Sequence, residues 1–219
     1  MAKSIKKLLL VCIIAGPGCL GIVADSFALG PLDGEVGVFW WSNQTDSNGF
    51  DEDFLDNATL SGFAEAWWNQ KWGVKGSLHR SDMKSIGLDD TDHFSIDLKR
   101  RFFSLTDNSF MALGAGWEEI DLGNGIGSSS GPRLTAEGRV GLGGVFSFYG
   151  QTSWLPDLGD AGNRSNLEGR EIEAGLSFDP APFMSLRLGY RRFRLDFDNG
   201  GANDTAESDG FILGAGIRW

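Results

Sequence analysis

What the chain has little of already narrows it. Its two cysteines, Cys12 and Cys19, both lie in an N-terminal stretch that reads as a removable leader, so the remainder contains none. That excludes disulfide-stapled scaffolds and thiol catalysis for the remainder. Histidine is limited to His79 and His93, which leaves little material for acid–base chemistry or metal ligation. Proline is scarce at 6 residues of 219, whereas glycine reaches 32. Beyond the leader no run approaches eighteen apolar residues, so no transmembrane helix is expected. Sustained helical periodicity is missing too.

The leader spans residues 1–28. Lys3, Lys6 and Lys7 precede an apolar stretch, Leu8 to Ala24, that Gly16, Pro17, Gly18 and Gly21 interrupt. Ser26-Phe27-Ala28 places small residues at −3 and −1, so cleavage after Ala28 is expected and the broken stretch makes a poor membrane span. Lipidation is not expected, because Cys19 has Gly16 at −3 and Cys12 has the bulky Val11 at −1. Removal leaves one domain, 29–219, with a net charge of −13. Positive charge is in deficit, which argues against binding nucleic acid through its phosphates.

What is present is alternation. From Phe211 every second residue is apolar, through Leu213, Ala215 and Ile217 to Trp219, while Gly214, Gly216 and Arg218 lie between. That is the period of a strand with one apolar face. Bacterial outer-membrane barrels typically end on such a strand with a terminal aromatic, and the likeness implies that Phe211, Leu213, Ile217 and Trp219 act as an assembly signal. Ten such strands are expected, near 33–43, 57–68, 72–82, 92–103, 109–120, 133–142, 145–154, 169–178, 184–197 and 209–219. Eight would follow if the Gly143-Gly144 turn were not real.

The connections alternate in length. Gln44–Asp56, Met83–Thr91, Asp121–Pro132, Leu155–Glu168 and Asp198–Ser208 read as long polar loops, and 69–71, 105–108, 143–144 and 179–182 as short turns. An up-and-down outer-membrane barrel segregates its loops in this way, whereas a Greek-key sandwich has no reason to. The long loops carry clustered acid, including Asp46, Asp51, Glu52 and Asp53, which reads as a solvated rim; cation bridging of lipopolysaccharide is the sharper alternative.

The apolar parity is assigned to lipid, with aromatic girdles formed by Trp67, Trp68, Trp72, Phe102, Phe103, Phe178, Phe183 and Trp219 on the short-turn side. Trp40, Trp41, Trp117 and Trp154 mark the long-loop side. The opposite parity carries a mixed-charge lumen network: Glu65, Lys75, Asp97, Lys99, Arg101, Glu137, Arg139, Glu171, Glu173, Arg187 and Arg191, with Glu35, His79 and His93 also facing inward. Buried charges must be paired or hydrated. A salt-bridged, closed lumen and a narrow, weakly selective pore are both compatible with this composition.

An outer-membrane hydrolase or acyltransferase would need a rim site near His79 and His93, with Ser77, Ser81, Ser95 and Asp82, Asp89, Asp90 or Asp92 in support. The pattern resembles neither the Asp-Asp plus Asp-His arrangement of omptin proteases nor the His-Ser pairing of lipid A deacylases. No catalytic residue, metal ligand or cofactor is assigned.

The second half resembles a known family. Phe146-Ser147-Phe148-Tyr149-Gly150-Gln151 leads to Leu155-Pro156-Asp157, then Glu173-Ala174-Gly175-Leu176, Leu188-Gly189-Tyr190-Arg191-Arg192-Phe193 and Asp209-Gly210-Phe211-Ile212-Leu213-Gly214-Ala215-Gly216-Ile217. This order resembles the YfaZ-type family of small bacterial outer-membrane barrel proteins, where "YGE…APD", "GYRY" and "DG…GLG" follow in turn. Gln151 stands where the family more often has Glu. The resemblance covers about residues 140–219, implies fold and location, and carries no established activity. The expectation is an all-β transmembrane antiparallel up-and-down barrel, non-enzymatic and monomeric. Its partners are expected to be outer-membrane lipid, lipopolysaccharide and, during insertion, the barrel-assembly machinery, with no nucleic acid.

Overall fold

In the computed structural model, which describes residues 32–42, 58–83, 88–106, 109–123 and 125–219, ten antiparallel strands close into a barrel. They are β1 Leu32–Ser42, β2 Ala58–Trp68, β3 Trp72–Met83, β4 Leu88–Thr106, β5 Ser109–Asp121, β6 Ser128–Gly143, β7 Phe146–Leu155, β8 Arg164–Ala181, β9 Met184–Asn199 and β10 Ala202–Arg218. Each strand pairs with its sequence neighbours, and β1 pairs with β10. Closure removes the unpaired edges that an open sheet would expose. The leader and the first loop, Gln44–Asp56, lie outside the described residues.

The Gly143-Gly144 turn is real, which settles the count at ten. Both residues have positive φ, 95° and 60°, a conformation that glycine adopts without Cβ strain. Register pairs Gly143 with Phe146 and then runs up β7.

The sheet extends further than the sequence periodicity indicates. β4 has 19 residues, β8 18 and β10 17, whereas a tilted membrane crossing needs about ten. The expected loop Asp198–Ser208 is a correction: it is a paired hairpin turning at Gly200-Gly201, with Asn199 opposite Ala202. The loops expected at 83–91, 121–132 and 155–168 are likewise taken up in part by β4, β6 and β8. Their polar composition reflects sheet standing in water on both outer and tip surfaces, and polarity alone does not distinguish that from loop.

Outward faces carry the apolar band. Val38, Trp40, Leu60, Leu98, Leu113, Trp117, Leu134, Val140, Phe148, Trp154, Ile172, Leu188, Leu213 and Ile217 are all exposed. Two aromatics depart from the expected girdles. Trp41 and Trp67 are buried and point inward, because each sits one residue from its lipid-facing neighbour, Trp40 or Trp68, and strand parity admits only one of each pair to lipid.

Inside, the contents change along the axis. Toward the long-loop end an apolar plug gathers Trp41, Ile120, Leu122, Leu155, Leu158, Leu167, Phe193, Leu195 and Phe197. Part of it comes from the 156–163 connection, which folds over β6. The Ser129 hydroxyl donates to the carbonyl of Gly159 at 3.1 Å and to that of Leu158. Gly131 makes this approach possible, since a Cβ there would sit 1.8 Å from the Asp157 carbonyl oxygen.

Candidate functional site

Below the plug, charged side chains fill the lumen in layers, brought together by register. His79 faces His93 across β3 and β4, and Lys75 faces Asp97. Glu173 faces Arg191 across β8 and β9.

The central layer is built on Arg133. It is 2% exposed, and its guanidinium donates to Glu118, to Glu171 at 2.8 Å and to the Ser153 hydroxyl at 2.6 Å, with Asp97 at 3.4 Å. A planar fork of donors suits several carboxylates at once, which an ammonium cannot match. Arg191 extends the network to Glu171 at 3.2 Å and Glu173 at 2.5 Å, and lies over the Phe39 ring at 4.5 Å.

The next layer toward the short turns belongs to Lys99, which reaches Glu65 and, at 2.7 Å, Glu137. Lys75 donates to the amide oxygen of Gln151 at 2.6 Å. Gln151 therefore accepts from lysine where a glutamate would add another charge to this layer. Arg187 reaches Glu35 at 2.6 Å, and Arg218 bridges Glu35 at 3.1 Å and Asp179 at 2.7 Å. Arg101 lies between Trp67 and Phe110, 4.1 Å from each ring, which explains the inward turn of Trp67. Arg139 joins Arg101, Glu35 and Glu65 in lining a vestibule of about 460 Å³ at the short-turn mouth. Deeper in, between Lys75, Gln151, Arg133 and Arg191, the free space is about 20 Å³, room for about one water.

Inside the lumen, just below the plug and buried where the sequence suggests an open rim, sits the histidine pair. The rings of His79 and His93 stack with centroids 4.2 Å apart and planes 14° from parallel. His93 Nδ1 lies 3.2 Å from a carboxylate oxygen of Glu118, and His93 Nε2 lies 2.9 Å from Ser81 Oγ. Because a carboxylate accepts, Nδ1 carries the hydrogen in the neutral ring and Nε2 accepts from Ser81. Thr91 closes the group through Ser81 and lies 3.3 Å from His93 Nε2. The acidic partner expected from β4 is elsewhere: Asp92 points outward to Arg80 at 2.8 Å. Asp82, Asp89 and Asp90 lie where side chains are outside the described residues.

Sequence reasoning missed Arg133 and Glu118. Glu118 shares the inward parity of Gly114 and Gly116, so alternation through Leu113, Ala115 and Trp117 marks it. Arg133 follows Pro132, which reads as the end of a loop; proline here pairs opposite Trp117 within the sheet.

No protein-family model matches the chain, and no curated protein matches it. Solved structures do show similarity. The outer membrane protease OmpT from Escherichia coli is 10% identical, covers 90% of this chain and 99% of its own, and superposes with a TM-score of 0.50. A COG4313 outer membrane channel from Pseudomonas putida F1 is 14% identical over 90% of this chain and 97% of its own, with a TM-score of 0.43. Ail, the attachment invasion locus protein of Yersinia pestis, is 16% identical over 86% and 97%, with a TM-score of 0.35. The closed barrel with a continuous lipid-facing band belongs in the bacterial outer membrane.

Proposed function

We propose that this protein is a closed, non-catalytic outer-membrane barrel that acts through its outer surface, not as a conduit. One observation carries the reading: the lumen is stopped twice, by the Arg133 ion cluster and by the apolar plug above it. A permeant ion would have to displace Arg133 from its carboxylates and then cross a segment lined by leucine and phenylalanine. The narrow-pore alternative therefore ranks below it. The motif order of residues 140–219 supports placing the protein with YfaZ-type barrels.

The outward face just above the lipid band supports a lipopolysaccharide contact. Arg170 and Arg194 stand directly opposite each other on β8 and β9, beside Trp154 and near Arg192. Asp196 already pairs with Arg194 at 2.9 Å and Glu207 with Arg192 at 2.6 Å, so a lipopolysaccharide phosphate is proposed to join Arg170 and Arg194 beside these carboxylates. The outward-facing Phe211, Leu213 and Ile217, with Trp219, are proposed to serve as the assembly signal read by the barrel-assembly machinery, and the protein is proposed to be a monomer.

Recording current from the folded barrel in a planar lipid bilayer tests the closed lumen. Silence from protein verified as folded is expected; discrete, reproducible conductance steps overturn the reading in favour of a pore.

A second reading has one specific observation behind it. Ser81, His93 and Glu118 form the hydroxyl–imidazole–carboxylate chain that a hydrolase or acyltransferase uses. All three are at most 1% exposed, however, which leaves no room for an acyl group beside the hydroxyl. Covalent labelling of wild type by a fluorophosphonate, abolished by Ser81→Ala, would promote this reading; absence of labelling removes it.

A further inference from the structure

We propose that His79, His93 and Glu118 form a binding site for one divalent transition-metal ion of the zinc type, inside the lumen just below the plug. The proposal does not depend on the closed-barrel reading. It rests first on convergence: each residue offers a donor atom, and the three atoms lie within 4.8 Å of one another. They come from three consecutive strands, β3, β4 and β5, with the two histidines directly opposite each other.

The second observation is independent. His79 Nε2 is buried and has no hydrogen-bond partner among the described residues, although buried polar atoms are normally satisfied. The ring is 5% exposed, stacked on His93 on one side and edged by Trp41 at 6.0 Å. A bound cation gives this nitrogen the partner it lacks. In the stacked arrangement the two imidazole planes run nearly parallel. Coordination by both therefore requires one ring to turn about its Cβ–Cγ bond, a motion that leaves the backbone register untouched.

The donor chemistry selects the class. Two imidazoles and a carboxylate suit zinc, cobalt or nickel, and nitrogen donors disfavour calcium and magnesium. Three protein ligands leave a fourth position, and the Ser81 hydroxyl that donates to His93 Nε2 turns away for that nitrogen to take the ion. Arg133 holds the second oxygen of Glu118, so the carboxylate is oriented by a neighbouring group, as metal-bound carboxylates are. The surrounding charges are also favourable. Glu118, Glu171, Glu173 and Asp97 face Arg133 and Arg191, so this network carries more acid than base before any ion enters. Burial implies that the ion is taken up as the barrel folds, so it would tie the outer ends of β3, β4 and β5 together.

The test uses the mature chain without a histidine tag, refolded in detergent with Co(II) or Zn(II) and freed of loose metal by gel filtration. One equivalent of metal per folded barrel is expected, with a visible ligand-field band for cobalt. His79→Phe keeps the stack and the volume; it should fold normally and lose both the band and the stoichiometry. Glu118→Gln should lower the metal content as well. Substoichiometric metal in folded wild type, or an unchanged band in His79→Phe, overturns the site. The bilayer current of His79→Phe stays silent in either case, so failure here is separable from failure of the closed-lumen reading.

Discussion

Trp219 and Gly34 close the barrel as a reciprocal pair. Each backbone amide donates to the other's carbonyl at 3.1 Å, and the indole lies where a Cβ on Gly34 would stand, 2.1 Å from its Cζ2. Gly34→Val must push the ring off the seam, at about 1–3 kcal/mol. Chemical denaturation in detergent should show that loss, and the folded band in unboiled gel electrophoresis should be depleted. Normal stability would mean that the indole is free to swing aside.

Arg133 gives the largest expected effect. Arg133→Met leaves Glu118, Glu171 and Asp97 facing one another without their common cation, a cost of about 3–5 kcal/mol. Arg133→Lys should recover only part, because an ammonium cannot span the same acceptors. Equilibrium unfolding in lipid vesicles measures both. Combining Arg133→Met with Glu118→Gln and Glu171→Gln should cost less than the single substitution.

Lipid-facing and lumen-facing positions should respond in opposite ways to charge. Leu213→Arg places a guanidinium near the middle of the apolar band and should destabilise by about 2–4 kcal/mol. Gln151→Glu, three strands from Lys99 and already bonded to Lys75, adds a carboxylate beside an ammonium and should leave the barrel folded. If both variants unfold alike, the face assignment fails.

The folded-over connection is testable through one hydrogen. Gly131→Ala puts a methyl against the Asp157 carbonyl and should detach residues 156–163 from β6. Limited proteolysis should then cut between Pro156 and Asn163 at a rate that wild type does not show. Far-ultraviolet circular dichroism should stay unchanged, since the strands themselves pair elsewhere.

These particulars mark what the sequence makes legible. Alternation reveals the strands because lipid and lumen impose opposite chemistry on successive residues, and Gly143-Gly144 is visible because two positive φ angles call for glycine. Alternation holds even at Trp41 and Trp67, which face inward beside the exposed Trp40 and Trp68; it is aromatic clustering at strand ends that misplaces them in the girdles. Alternation fails beyond the membrane, where outer surface and loop are equally polar, so Asp198–Ser208 conceals a hairpin. Arg133 is hidden behind Pro132, and the role of Glu118 appears only when register brings β5 beside β4.

That hairpin has a consequence for whatever meets the cell from outside. β9 and β10 stay paired to Asn199 and Ala202, so the tip at Gly200-Gly201 is carried on a continuous hydrogen-bonded ladder. A ligand, phage or antibody docking on it finds a preshaped ridge and gives up little ordering entropy on contact. Short inserts spliced between the two glycines would be displayed at a defined height above the lipid, which makes this turn a natural mounting point for a foreign peptide.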